Sequence, residues 1–244
     1  MDRGTAWWNG LDNASREAFV QGIIDVFPGV KWGLSLDDIR AMLAKYAHLK
    51  NGDLEANLAR FHEAVVPAAE KLGVRLAIHP DDPPFPALGL PRIVSTQAQV
   101  RAMLKRVDSP ANGLCFCTGS FSANTTNDLP AMFREFAPRV HALHLRSTQR
   151  LPDGSFYEAD HLAGSVDMPA IMRAVLNEQD RRRAEGRRDW RLAFRPDHGH
   201  TMMDDLNKNP TDFNPGYTCI GRMRGLAELR GLMIGLRHAE PIKA

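Results

Sequence analysis

From Val74 to the last helix, short apolar runs alternate with stretches of helical spacing, and this alternation restricts the fold more than any other feature of the chain. An apolar run followed by an amphipathic helix and then by another such run is the pattern of parallel strands joined by crossover helices. Val74 to Ile78 reads as the first strand, Leu114 to Phe116 as the second, Val140 to Leu143 as the third, Arg191 to Phe194 as the fourth and Tyr217 to Ile220 as the fifth. Between them, a helix from about Thr96 turns Val100, Met103 and Leu104 inward, and Asp128 caps another that buries Met132, Phe133 and Phe136. Asp167 and Pro169 start a third, with Ile171 and Val175 on its inner face, and Leu226, Leu229, Leu232 and Leu236 face one side of the closing helix.

Residues 1 to 72 read as helical. Ser35 and Asp38 have the form of a capping box, and a helix from Asp53 is expected to bury Leu54, Leu58, Phe61, Val65 and Leu72 before Gly73 stops it, with Pro67 expected to kink it. The expectation is one α/β domain over 1–244, a helical segment at 1–72 and five strand-and-helix units at 73–244. Such units wind into a TIM-type (β/α) barrel, but a complete one has eight. Either strands lie unread in residues 1 to 72, or the chain is the carboxy-terminal part of a barrel whose opening units are absent. An open sheet exposes strand edges, one of them along Val74 to Ile78, so a homo-oligomer that covers them or an incomplete coding sequence is expected.

A formal net charge of +2 gives no electrostatic case for nucleic acid or a membrane surface. The arginines at 181 to 183, 187 and 188 alternate with Glu178, Asp180, Glu185 and Asp189, and read as the solvated end of a helix. No apolar run is long enough for a bilayer and the first residues lack a signal-peptide core, which points to the cytoplasm. Cys115, Cys117 and Cys219 are too few for a disulfide framework and fit a reducing compartment.

Four of the strands end in a group able to bind a metal: His79, Cys117, His144 and Asp197. The last lies in Arg195-Pro196-Asp197-His198-Gly199-His200, where Pro196 removes a backbone donor and Gly199 loosens the chain, so strand pairing must stop there. Parallel strands of a barrel bring their carboxy ends to one mouth, where two imidazoles, a thiolate and a carboxylate would suit one divalent transition metal. The thiolate argues against magnesium or calcium. Side-chain alternation puts Cys115 one layer below Cys117 and turns His141 away from His144, so both read as structural.

The motifs His79-Pro80-Asp81-Asp82-Pro83-Pro84, Gly89 to Thr96, Cys117-Thr118-Gly119-Ser120, His144-Leu145-Arg146-Ser147, Arg195 to His200 and Asn214-Pro215-Gly216-Tyr217 together resemble the mannonate dehydratases, in the same order. That resemblance implies a xylose isomerase-like barrel and dehydration of D-mannonate to 2-keto-3-deoxy-D-gluconate in hexuronate breakdown. It also implies Mn2+ or Fe2+ at His79, Cys117, His144 and Asp197, with His198 and Tyr217 as the acid and base, and three further strand-and-helix units before the point where this chain begins. Arg146 is expected as a clamp for the substrate carboxylate and His161 as a contact to a substrate hydroxyl. Two alternatives stand beside this reading: a sugar isomerase on the same barrel, and a shortened protein that binds metal without turnover.

Overall fold

The computed structural model describes residues 2–25, 34–209 and 212–239. It divides into two compact units, Met1–Asn51 and Gly52–Ala244. The first holds α1 (Asp2–Asn9), α2 (Asn13–Asp25) and α3 (Leu36–Ala44). α3 opens on the expected capping box, in which Ser35 Oγ accepts from the Asp38 amide at 3.2 Å and the Asp38 carboxylate accepts from the Ser35 amide at 2.8 Å.

The second unit begins with α4 (Asp53–Leu72), which runs through Pro67 and ends at Gly73, left-handed at φ 66°. There follow β1 (Leu76–Ile78), α5 (Gln97–Arg106), β2 (Asn112–Cys117), α6 (Thr118–Ser122), α7 (Leu129–Phe136), β3 (Val140–His144), β4 (Thr148–Arg150), β5 (Phe156–Glu158), α8 (Met168–Ala184), β6 (Phe194–Arg195) and α9 (Cys219–His238). The main sheet has the order β1-β2-β3-β6 with every pairing parallel. Parallel strands in chain order with helices between them are the units from which (β/α) barrels are wound. Register sets the site: Cys117 pairs with His144 and His144 with Arg195, so three strand ends lie level.

α5, α7 and α8 bury the faces that their spacing indicated, but α4 does not: Phe61 and Leu72 are exposed, and His62, Val66 and Ala69 are buried instead. Val100, Met103 and Leu104 of α5, Met132, Phe133 and Phe136 of α7, and Ile171, Met172 and Val175 of α8 form one core with Leu114, Phe116, Val140 and Leu143 of the strands. Phe116 meets Phe121 and Phe133 with ring centroids 5.3 Å apart in both cases. Each such fully buried side chain contributes about 2 to 3 kcal/mol from removal of apolar surface. The strand ends are therefore carried on a close-packed base. Among the described residues no helix is long and apolar enough to cross a membrane.

Three further expectations are corrected. The fifth strand, Tyr217 to Ile220, is not a strand: the Tyr217 amide closes a turn on Asn214 O at 3.0 Å, Thr218 is the N-cap, and Cys219 is already in α9. A four-residue apolar run carries too little periodicity to separate strand from helix start. The stretch read as a polar loop after His144 contains an antiparallel hairpin, β4 with β5, turned through Asp153-Gly154 with Gly154 at φ 85°. The arginine cluster is not wholly solvated either. Arg182 is 1% exposed, and its guanidinium donates to Glu178 at 2.6 Å, to Asp189 O at 3.1 Å, to Ala137 O at 2.6 Å and to Val140 O at 2.9 Å. Position 182 follows 175 and 178 on the inner face of α8, so helical geometry buries it whatever the local charge balance.

Candidate metal centre

His79, Cys117, His144 and Asp197 come together at the carboxy ends of the strands, each offering one ligand atom, and these atoms all lie within 4.8 Å of one another. His79 follows β1 directly, Cys117 and His144 are the last residues of β2 and β3, and Asp197 stands two residues beyond β6. His79 Nε2 is 3.1 Å from His144 Nδ1, which is 3.5 Å from Asp197 Oδ1, and Cys117 Sγ is 3.8 Å from Asp197 Oδ2. Bonds of 2.0–2.3 Å in a tetrahedral shell place ligand atoms about 3.3 to 3.8 Å apart, which the separations of 3.1, 3.5 and 3.8 Å approach. The donor set fits as well, being two nitrogens, one sulfur and one carboxylate oxygen.

The electrostatics of the cluster are compatible with a cation. Burial pushes the His144 imidazole down to about 4, which keeps its ring neutral and its lone pair free. Burial, reinforced by Asp197, pushes the Cys117 thiol up to about 12. A bound divalent ion would reverse that, because it stabilises the thiolate directly. Burial also opposes ionisation of Asp197, but His198, His144 and Arg195 outweigh it and hold the carboxyl below its ordinary range. Arg195 Nη2 donates to Asp197 Oδ1 at 2.5 Å. Asp197 itself sits at φ 69°, a left-handed conformation that costs a non-glycine residue on the order of 1 kcal/mol and is tolerated best by Asp and Asn. The backbone is bent to aim this carboxylate.

Beside the cluster, His198 Nε2 is 3.1 Å from Tyr217 Oη and 3.9 Å from Asp197 Oδ2. His198 Nδ1 is 3.2 Å from Glu158 Oε2. The loop bearing Asp197 and His198 lies directly on the start of α9: a Cβ on Gly199 would meet Gly221 C at 2.4 Å, and only glycine permits that approach. Burial pushes the Tyr217 phenol up, and Asp197 adds to the shift.

The other two expected site residues are placed differently. Arg146 is 6% exposed and already committed: Nε and Nη2 donate to Glu158 at 2.5 and 3.0 Å, and Nη1 to Asp82 at 2.5 Å. It is not a vacant clamp. His161 is 4% exposed, with Nε2 2.8 Å from Pro196 O and its ring against Gly225 of α9, where a Cβ would come within 2.1 Å. It contacts the Asp197 loop through the Pro196 carbonyl. The site also contains Glu158, Asp82 and Arg195, to which the sequence reading gave no role. For Glu158 a signal existed in the Asp153-Gly154 turn before Phe156-Tyr157-Glu158, which marks a hairpin and fixes which residues share a face.

A parallel α/β scaffold with His, Cys, His and Asp converging at its strand ends defines a class: (β/α) proteins with a candidate divalent-metal centre at the strand mouths. The family model for D-mannonate dehydratase (UxuA) matches residues 8–243. The chain is 47% identical over 238 residues to the mannonate dehydratase of Chromohalobacter salexigens, across 97% of this chain and 60% of that protein. It is 48% identical over 233 residues to that of Brucella canis, across 95% and 56% respectively. The crystal structure of mannonate dehydratase from Streptococcus suis serotype2 superposes with a TM-score of 0.71 at 33% identity, over 89% of this chain and 60% of that one. The chain therefore belongs to the D-mannonate dehydratase family, and it spans about 60% of the length of these relatives.

Proposed function

We propose that this site carries out the reaction named by its family, the dehydration of D-mannonate to 2-keto-3-deoxy-D-gluconate and water. The observation that carries the reading is the meeting of four ligand atoms within 4.8 Å, beside a histidine and a tyrosine 3.1 Å apart. His79, Cys117, His144 and Asp197 would hold Mn2+ or Fe2+, which when bound supplies Lewis acidity next to the substrate carboxylate and C2 oxygen. The C2 proton beside a carboxylate is very weakly acidic, so its removal needs positive charge nearby.

The chain's own residues then have two protons to move. One group takes the C2 proton, and another delivers a proton to the departing C3 hydroxyl, each worth about 10² to 10⁴ in rate. His198 and Tyr217 share these roles as one hydrogen-bonded pair. Asp197 bears on both sites, because Oδ1 is close to His144 and Oδ2 to His198.

The test is to follow 2-keto acid formation from D-mannonate with Mn2+ or Fe2+ present. Product that disappears with a chelator and returns with the metal supports the reading. Metal uptake without any 2-keto acid overturns the reaction, and interconversion of an aldose with its ketose would favour an isomerase.

A further inference from the structure

The reaction proposed above leaves unused a chain of ionic contacts, partly buried and centred on buried Arg146, that ends on His198. Asp82 Oδ2 accepts from Arg146 Nη1 at 2.5 Å, both Glu158 oxygens accept from the other side of the same guanidinium, and Glu158 Oε2 lies 3.2 Å from His198 Nδ1. Two parallel charge-assisted bonds hold a carboxylate in one orientation. Gly119 makes room for the arrangement, since a Cβ there would come within 2.3 Å of the Arg146 side chain. Burial opposes ionisation of Glu158, but its bonds to His198 and Arg146 outweigh burial and keep the carboxyl below its ordinary range. An ionised carboxylate can only accept, so the hydrogen on this contact must belong to the imidazole.

We propose that Glu158, clamped by Arg146, is a positioning residue that fixes His198 in the tautomer with its proton on Nδ1, which makes Nε2 the atom that exchanges a proton with Tyr217. The inference rests on the reading of His198 and Tyr217 as the proton-transfer pair. In that tautomer Nε2 presents a lone pair to Tyr217 Oη, 3.1 Å away. When the proton crosses, the O–H bond breaks with its electron pair left on oxygen, an N–H bond forms, and the resulting imidazolium lies against the Glu158 carboxylate. A carboxylate behind an imidazole stabilises that charged form and holds the ring in place.

The experiment is nitrogen NMR of the full chain with labelled histidine, free of paramagnetic metal, at about pH 8 where an ordinary imidazole is neutral. The His198 signals are assigned by their loss in His198→Asn. The unaltered chain should show the proton on Nδ1, Tyr217→Phe should keep it there, and Glu158→Gln should move it to Nε2 or mix the two forms. A proton on Nε2 in the unaltered chain, or a tautomer that changes in Tyr217→Phe and not in Glu158→Gln, overturns the proposal. Should Glu158→Gln fail to fold, a proton on Nε2 in the unaltered chain would still overturn the proposal. Arg146→Lys, which loosens the clamp on Glu158, then takes the place of that variant, with the same expected shift toward Nε2. In turnover, Glu158→Gln should lower kcat roughly 10- to 100-fold with KM within a few-fold. The tautomer is read without substrate, so absence of dehydration by the unaltered chain would sink the reaction and leave the positioning result standing.

Discussion

β3 carries buried charge at both of its ends, and the two ends are built on opposite principles. At its start, Arg182 donates to the Val140 carbonyl, to Ala137 O, to Asp189 O and to the Glu178 carboxylate, so this guanidinium is matched with acceptors. At its finish, His144 joins His79, Cys117 and Asp197, and all four offer lone pairs to one small volume. A matched network leaves nothing for a ligand to recognise, whereas an excess of converging lone pairs calls for a cation. Conserving the fold falls to the amino ends of barrel strands and chemistry to the carboxy ends, and here the two roles are separated by one strand's length.

If the two ends differ in this way, substitutions at them should separate binding from stability. The largest effect is expected at the mouth: Asp197→Ala or His144→Ala should weaken divalent-metal binding by roughly 10²-fold or more, read by calorimetric titration, with the fold retained. Retention of full affinity in either variant would break the comparison. Arg182→Met should do the reverse. It leaves Glu178 only its bonds to Arg181, takes the donor from the Ala137 and Val140 carbonyls, and should cost about 1 to 3 kcal/mol in urea unfolding, with metal affinity unchanged.

A pH effect sharpens the contrast. Burial, with Arg75 and Arg182 adding to it, pushes the His141 imidazole down to about 4, against an ordinary value of 6.5. The unfolded chain therefore takes up a proton that the folded chain refuses. Stability from this group is complete above about pH 6.5 and is lost as pH falls toward 4. His141→Gln should flatten that part of the stability curve measured by denaturant unfolding. The smallest effect is expected from Cys115→Ala, buried but outside the ligand cluster. It should cost about 1 kcal/mol and leave metal affinity intact, two residues from a cysteine whose removal should not.

The faces of α5, α7 and α8 and the strand ends were legible in the sequence because they rest on local rules. Helical spacing announced Met132, Phe133 and Phe136 as core, and the level ends of parallel strands announced that Cys117 and His144 would be neighbours. What stayed hidden depends on which long side chain reaches which partner. Arg146 and Arg182 are both arginines in polar surroundings along the chain, and only tertiary contacts show that one grips Glu158 and Asp82 while the other grips a helix carboxylate and three backbone carbonyls. The surroundings of His161 were hidden for the same reason: its ring packs against Gly225, 64 positions later. The start of α9 was misread because Thr218, Cys219 and Ile220 suit a strand as readily as a helix N-terminus until the Asp205 carboxylate is seen accepting from the Ile220 amide at 2.7 Å.

The central claim is that a cation sits among these four residues with Cys117 as its sulfur ligand. X-ray absorption at the zinc edge of the chain loaded with Zn2+ tests it most directly. The account predicts one sulfur neighbour at about 2.3 Å, with nitrogen and oxygen completing the shell, and loss of that sulfur in Cys117→Ala. A shell of nitrogen and oxygen alone in the unaltered chain, or a sulfur that persists in Cys117→Ala, would contradict it.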